Sequence, residues 1–129
     1  MAFPAELNFN YYRGDTLEFK VYPKINGGTE KFDLSNFTGM FKIATVRGAD
    51  GLATQKEGLA YIDAPNGVIT CVLQPDTGKE LVAGTTYVYD IQIKNNSYKV
   101  IGTDIIKGVF TVLTGTITVT DDVSETYNG

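Results

Sequence analysis

The sequence has no histidine, no tryptophan, one cysteine, two methionines and four prolines in 129 residues. Lack of histidine removes the commonest general base, the commonest metal ligand and every triad built on imidazole. A single cysteine excludes an internal disulfide and a thiolate metal cluster. No apolar run approaches the roughly 18 residues that a membrane-spanning helix needs. The opening, Met1-Ala-Phe-Pro-Ala-Glu6, has neither the basic region nor the apolar region of a secretory signal. Basic residues are outnumbered, with 11 Lys+Arg against 15 Asp+Glu and a net charge of −4, so no basic footprint for nucleic acid is present. Carboxylate chemistry and Ser, Lys or Tyr chemistry are what the catalytic repertoire retains. The balance leans toward a binding or structural protein.

What is present is the alternation of β-strands. The length suits one domain with a self-sufficient core. Leu17, Phe19 and Val21 alternate with Thr16, Glu18 and Lys20, and Tyr87, Tyr89, Ile91 and Ile93 with Val88, Asp90, Gln92 and Lys94. Ile69, Cys71 and Leu73 back onto Val68, Thr70 and Val72, which predicts a strand that is central or covered on both faces. Residues 40–46 and 107–112 complete the plainest strands. Near the end the apolar phase slips, from Phe110 and Val112 to Ile117 and Val119. Gly115 is the natural place for a bulge that corrects it. Threonines 114, 116, 118 and 120 would then form one solvent-facing row.

Turn signals separate the strands. Arg13-Gly14-Asp15, Asn26-Gly27-Gly28, Gly48-Ala-Asp-Gly51 and Asn66-Gly67 read as turns, and Asn95-Asn96 as the turn of a hairpin between 87–94 and 98–101. Residues 75–81 suit one helical turn capped by Asp76 or Thr77. The expected fold is all-β, an antiparallel β-sandwich of about seven to eight strands, with a small barrel as the alternative. The sandwich should occupy residues 11–120. Residues 1–10 are an N-terminal arm or the first strand, and residues 121–129 a polar C-terminal tail.

Each candidate site has a plainer reading beside it. Arg13-Gly14-Asp15 spells an integrin-binding tripeptide but reads first as a tight turn. Asp121 and Asp122, with Asp104 or Glu125, offer hard oxygen ligands for Ca²⁺ yet lack any calcium-loop spacing, and a solvated acidic strand end is the expectation. Asp33 and Asp63 could serve as a glycosidase pair only if the fold brought them together. Cys71 is expected to be a buried small hydrophobe, because a reactive thiol needs exposure and nearby positive charge. Fifteen Phe and Tyr residues are a large share, and most must be core. Tyr11, Tyr12, Tyr61, Tyr98 and Tyr127 are the expected exposed ones and so candidate interface residues. Phe3, Leu7 and Phe9 join them if the arm pairs with a neighbouring chain's sheet edge.

Three segments in order carry a resemblance: Tyr12-Arg-Gly-Asp-Thr-Leu-Glu-Phe-Lys-Val21; Phe32-Asp-Leu-Ser-Asn-Phe-Thr-Gly-Met-Phe-Lys-Ile43; and Leu81-Val-Ala-Gly-Thr-Thr-Tyr-Val-Tyr-Asp-Ile-Gln-Ile93, followed by residues 106–112 and 118–124. Together they resemble the small immunoglobulin-like β-sandwich proteins of tailed bacteriophages, and are similar to the N-terminal domain of baseplate upper proteins. The resemblance spans about residues 12–124. It implies an immunoglobulin-like fold in a virion building block without chemistry. By analogy with immunoglobulin folds Tyr87 would be the corner tyrosine, and Tyr89 would stand where antibody domains carry their second cysteine. The chain departs from antibody domains in having neither the Cys pair nor the Trp, which suits assembly in a reducing cytoplasm.

The expectation is therefore a non-enzymatic virion structural protein, assembled in the host cytoplasm, acting as an adaptor on the tail, baseplate or neck. Its partners would be other virion proteins and copies of itself, with no nucleic acid, membrane, small-molecule substrate, metal or cofactor. A capsid decoration protein and a host-surface or carbohydrate-binding module are the alternatives.

Overall fold

The computed structural model describes residues 5–25, 30–45 and 56–121. The fold is all-β, with eight strands among the described residues: β1 Ala5–Glu6, β2 Phe9–Tyr12, β3 Leu17–Val21, β4 Thr38–Ala44, β5 Lys56–Asp63, β6 Val68–Leu73, β7 Thr86–Ile101 and β8 Asp104–Thr120. One helical turn, α1 Pro75–Gly78, precedes β7. Its N-cap is Gln74, without a side-chain cap, and Pro75 opens the turn. Asp76 and Thr77 thus lie inside the turn. Proline is pre-set for that first position and has no N–H to leave unpaired there.

The strands form one hydrogen-bonded path in the order β1-β8-β7-β4-β5-β6-β3, with β2 also on β8. The path curls at β5, which changes partner along its length. Its first residues, Lys56–Gly58, pair with β4, and Leu59–Asp63 pair with β6. Gly58 sits at this corner, where a Cβ would run into the Phe41 ring. The curl brings Phe19 of β3 against the rings of Phe9, Phe41 and Tyr89, at centroid distances of 4.7, 5.6 and 6.0 Å. Around these rings lie the fully buried Ile43, Ile69, Cys71, Leu73, Ile91, Ile93 and Ile117. The expected alternation accounts for this face: in β7, Tyr87, Tyr89, Ile91 and Ile93 are buried while Lys94 is exposed.

Two expectations are corrected by the pairing. The sheet is mixed, because β1 and β2 both run parallel to β8. They follow one register, Ala5 opposite Leu113 through to Tyr12 opposite Thr120, with a break at Leu7-Asn8. Residues 5–12 are thus strands of the chain's own sheet. The second correction concerns β7. Asn95-Asn96 is not a hairpin turn, because β7 continues through it to Ile101. The turn falls at Gly102, whose φ is +64°, a conformation glycine adopts without penalty. Asn95 instead marks a bulge: the register passes from Asn95 opposite Gly108 to Lys99 opposite Ile106.

The phase slip in β8 is real but lies earlier than Gly115. Ile91 pairs with Leu113 and Gln92 with Thr111, so Val112 is the extra residue and both Val112 and Leu113 are buried. Gly115 pairs in register with Tyr89 and has a different task. A Cβ there would collide with the Leu7 carbonyl. That carbonyl accepts the Tyr89 hydroxyl at 2.6 Å, and the Asn8 side-chain oxygen accepts both the N–H and the hydroxyl of Thr116. Threonines 114, 116 and 118 lie on the outward face but are half-buried, with Thr114 bonded to Asp90 and Thr118 to Thr86.

Gly115→Ala should therefore unseat residues 5–12 from β8 and destabilise the fold by about 2–3 kcal/mol, the range of an overpacked site. Urea denaturation measures the loss. Limited proteolysis, with new cleavage near Leu7, locates it.

Candidate functional site

The candidate site follows from the length of β7 and β8. β4 accompanies β7 only as far as Thr38 opposite Lys94. On the other side, β1 first meets β8 at Leu113. Beyond those points residues 95–108 continue as a two-stranded hairpin, and among the described residues no other strand pairs with it. The hairpin extends roughly 15–20 Å past the end of β4 at about 3.3 Å per residue.

At the root of this arm is an aromatic cluster. Tyr98, on the bulge, contacts Phe110 at 5.4 Å and Phe37 at 5.9 Å, and Phe32 contacts Phe37 and Phe110 at 5.6 and 5.7 Å. Phe32, Leu34 and Phe37 come from a segment with no regular strand, yet all three are buried. The segment turns at Asn36, φ +65°, with the Phe37 N–H bonded to the Leu34 carbonyl. Asp33 accepts the Ser35 N–H at 3.0 Å, and that bond holds its carboxyl below the usual carboxylate range. Gly108 is needed because a Cβ would press on Tyr98. Beside the cluster a groove of about 360 Å³ is lined by Ile25, Asp33, Asn36, Phe37, Asn95 and Tyr98, among others.

Outward from the root the arm exposes apolar side chains on both faces. Val100 and Ile105 face each other at 65% and 63% exposure, and Ile101 is 58% exposed. Val109 is also exposed. Lys99 and Lys107 flank them, with the Lys99 ammonium 5.6 Å from the centre of the Tyr98 ring. Charged residues on an open edge discourage indiscriminate pairing. A bare two-stranded hairpin is marginal in water, so apolar residues at its tip bring no packing benefit to the chain itself.

The residues singled out in the sequence are dispersed. Tyr12 and Tyr61 are exposed, on β2 and β5, and Leu7 is exposed at the break between β1 and β2. Tyr98 is half-buried at the arm root. Tyr11 is not exposed: at 2% it is core, and its hydroxyl donates to the Asp15 carbonyl at 2.6 Å over Gly78. Phe9 packs on Phe19 and Tyr89, as part of the chain's own sheet. Phe3 and Tyr127 lie outside the described residues, as do residues 26–29 and 46–55, where two of the expected turns fall. Tyr87 is buried and its hydroxyl accepts the Val82 N–H at 2.8 Å. The arm's own apolar residues were missed. Their signal was the run Val100-Ile101 and Ile105-Ile106 around Gly102, a two-residue turn with apolar flanks.

Among the described residues the chemical candidates do not assemble. Arg13-Gly14-Asp15 is a turn with Gly14 at φ +91° and the Asp15 N–H bonded to the Tyr12 carbonyl. Arg13 reaches inward to the Lys79 carbonyl at 3.1 Å and to Asp121 at 3.5 Å. Asp104 and Asp121 stand at the two ends of β8, about 50 Å apart along the strand. Asp122 and Glu125 lie outside the described residues. Among the described residues no three His, Cys, Asp or Glu side chains gather to hold a metal. Asp63 is tied to Asn66 at 2.8 Å in its own turn. No family model matches the sequence, and no curated protein matches it.

The buried acids are all weak ones. Burial pushes the Cys71 thiol up to about 12 and raises the hydroxyls of Tyr89 and Tyr11. Each is held protonated in the fold, so the stabilisation is fully present below the unfolded values, near pH 8.5–10. It is lost as pH rises through the folded ones. With no histidine, melting temperature should stay nearly flat between about pH 6 and 8 and fall steeply above about pH 10. A thermal-denaturation series across pH checks this, and Cys71→Ser should remove the part of the fall that begins lowest.

Proposed function

We propose that this chain is a non-enzymatic building block of a tailed-bacteriophage virion, an adaptor on the tail, baseplate or neck that docks through the β7–β8 arm. The observation that carries the reading is the arm itself: Val100, Ile101 and Ile105 stand exposed on a hairpin that has left the sheet. Apolar surface held away from the core on a two-edged ribbon is suited to contact with another protein. The segments quoted from the sequence, which resemble the phage β-sandwich proteins, supply the particle. Many copies around a symmetric assembly would turn a small contact into durable attachment. The single cysteine, buried at Cys71, suits assembly in the reducing host cytoplasm. Capsid decoration would use the same arm on a different neighbour.

The test is an arm variant, Ile101→Asp with Ile105→Asp. Both side chains are exposed, so the circular dichroism spectrum and melting temperature should be those of the wild type. The amount of protein in purified particles assembled with the variant should fall at least about tenfold, as expected for lost contact residues at the centre of an interface. Wild-type incorporation of this variant would refute the proposal, as would turnover of a small molecule by the isolated protein. Glycan-array binding abolished by Tyr61→Ala, with incorporation unaffected by the arm variant, would favour the carbohydrate-binding alternative.

A further inference from the structure

We infer that the outer face of β3, β6 and β5 packs on the same face of a second copy of this chain, as a two-fold symmetric pair in which Glu18 of each copy meets the partner's Lys20. The surface is not the arm, so the inference goes beyond the docking element already described.

The face is built by pairing. In β6, Ile69, Cys71 and Leu73 are fully buried, while Thr70 and Val72 point the other way and are half-buried. Val72 lies between Glu18 of β3 and Leu59 of β5, and Thr70 lies between Lys20 and Tyr61. Residues paired directly across strands share a face. These six side chains therefore form two neighbouring rows, Glu18-Val72-Leu59 and Lys20-Thr70-Tyr61. Leu59 and Tyr61 are 37% and 58% exposed, and Glu18 and Lys20 are exposed beside them. Apolar side chains that adjoin on a solvent-facing sheet mark a contact surface.

Charge selects the occupant. The two rows carry one acid and one base, two residues apart on one strand, and no ion pair among the described residues includes either. A patch with both signs is complementary to itself. A two-fold axis crossing the strands between the two rows lays β3 on the partner's β3. It sets Glu18 over the partner's Lys20, and Lys20 over the partner's Glu18. The same rotation sets Leu59 over the partner's Tyr61 and Val72 over the partner's Thr70, and each contact is made twice. The strands of the two copies are then aligned, as in sheets that pack face to face about 10 Å apart. Burial of Leu59, Tyr61 and Val72 supplies the attraction. The ion pairs stand on β3, the last strand of the path, where they fix orientation more than affinity. The face is only about 10 Å wide from β3 to β5, so the contact falls at the small end of interfaces and needs high concentration. β6 is then covered on both sides, as its doubly apolar sequence predicts.

Sedimentation velocity on the full chain, at concentrations up to about 1 mM, tests this with Glu18→Lys and Lys20→Glu. Both positions are exposed, so circular dichroism and melting should match the wild type. Wild type should form dimers and nothing larger through this face. Each single variant should dimerise at least about tenfold more weakly, because each sets like charges over one another. The two single variants mixed one to one should recover dimers, since lysines of one then face glutamates of the other. Glu18→Lys with Lys20→Glu in one chain should recover them as well, because the pairs are only exchanged. A wild type that stays monomeric throughout would overturn the inference, as would dimers unchanged by either single variant or a mixture that stays dissociated. Glycan binding by a monomeric wild type, lost in Tyr61→Ala, would give the face to a carbohydrate and overturn it too. So would association lost in the Ile101→Asp, Ile105→Asp variant and kept in Glu18→Lys, which would place self-contact on the arm. If the wild type is monomeric while that arm variant fails to enter particles, only this pairing is lost and the reading of the arm stands.

Discussion

The register between β7 and β8 is the constraint on which the rest depends. These two strands are the longest among the described residues, and they form both the centre of the sheet and the arm that leaves it. Two irregularities divide the pairing. The extra residue at Val112 lets buried positions continue on both sides of the slip, so Phe110 packs in the arm-root cluster while Val112, Leu113, Ile117 and Val119 all serve the core. The second bulge, at residues 96–98, turns Tyr98 onto Gly108 and into the Phe37–Phe110 cluster. A slip of one residue at either place would send core side chains to solvent. The register is thus fixed by burial at one end of the ribbon and by aromatic packing at its waist, and by neither at its tip.

That division separates stability from contact. The core is closed by the N-terminal strands, which lie parallel on β8 and are clamped at Leu7-Asn8 by Tyr89, Gly115 and Thr116. It is sealed at the strand entry by Tyr87 on the Val82 N–H and below α1 by Tyr11 under Gly78. Three tyrosine hydroxyls therefore satisfy backbone groups between elements. No side-chain polar atom among the described residues is buried without a partner. Past Gly108 none of these devices applies, and apolar side chains stand in water with lysines beside them. A surface of this kind suits the contact proposed for the arm.

The sequence made the all-β class and the core faces legible, because strict alternation in residues 17–21, 69–73 and 87–93 leaves few other arrangements. It also made the β8 phase slip legible, though not its place: Gly115 looked like the flexible point, whereas its small size serves a close approach by Leu7 that only the fold reveals. The parallel docking of β1 and β2 had no local signal, since pairing direction is set by the path of the whole chain. Tyr11 was misjudged for the same reason, because its burial comes from α1, sixty residues on. The arm was misread at Asn95-Asn96, where turn-forming residues made a bulge and the apolar flanks of Gly102 passed as an ordinary strand end. The burial of Phe32, Leu34 and Phe37 from an irregular segment is a tertiary effect that no period announces.

Amide hydrogen exchange, read residue by residue in the isolated chain and again in the particle proposed to hold it, tests most directly whether the arm is a contact element and not a part of the core. In the isolated chain, amides of 87–93 and 113–119 should exchange only through global unfolding, and those of 99–106 at least about a hundredfold faster through local opening. In the particle the arm amides should become protected to the level of the core. Arm amides as slow as the core in the isolated chain, or still fast in the particle, would contradict it.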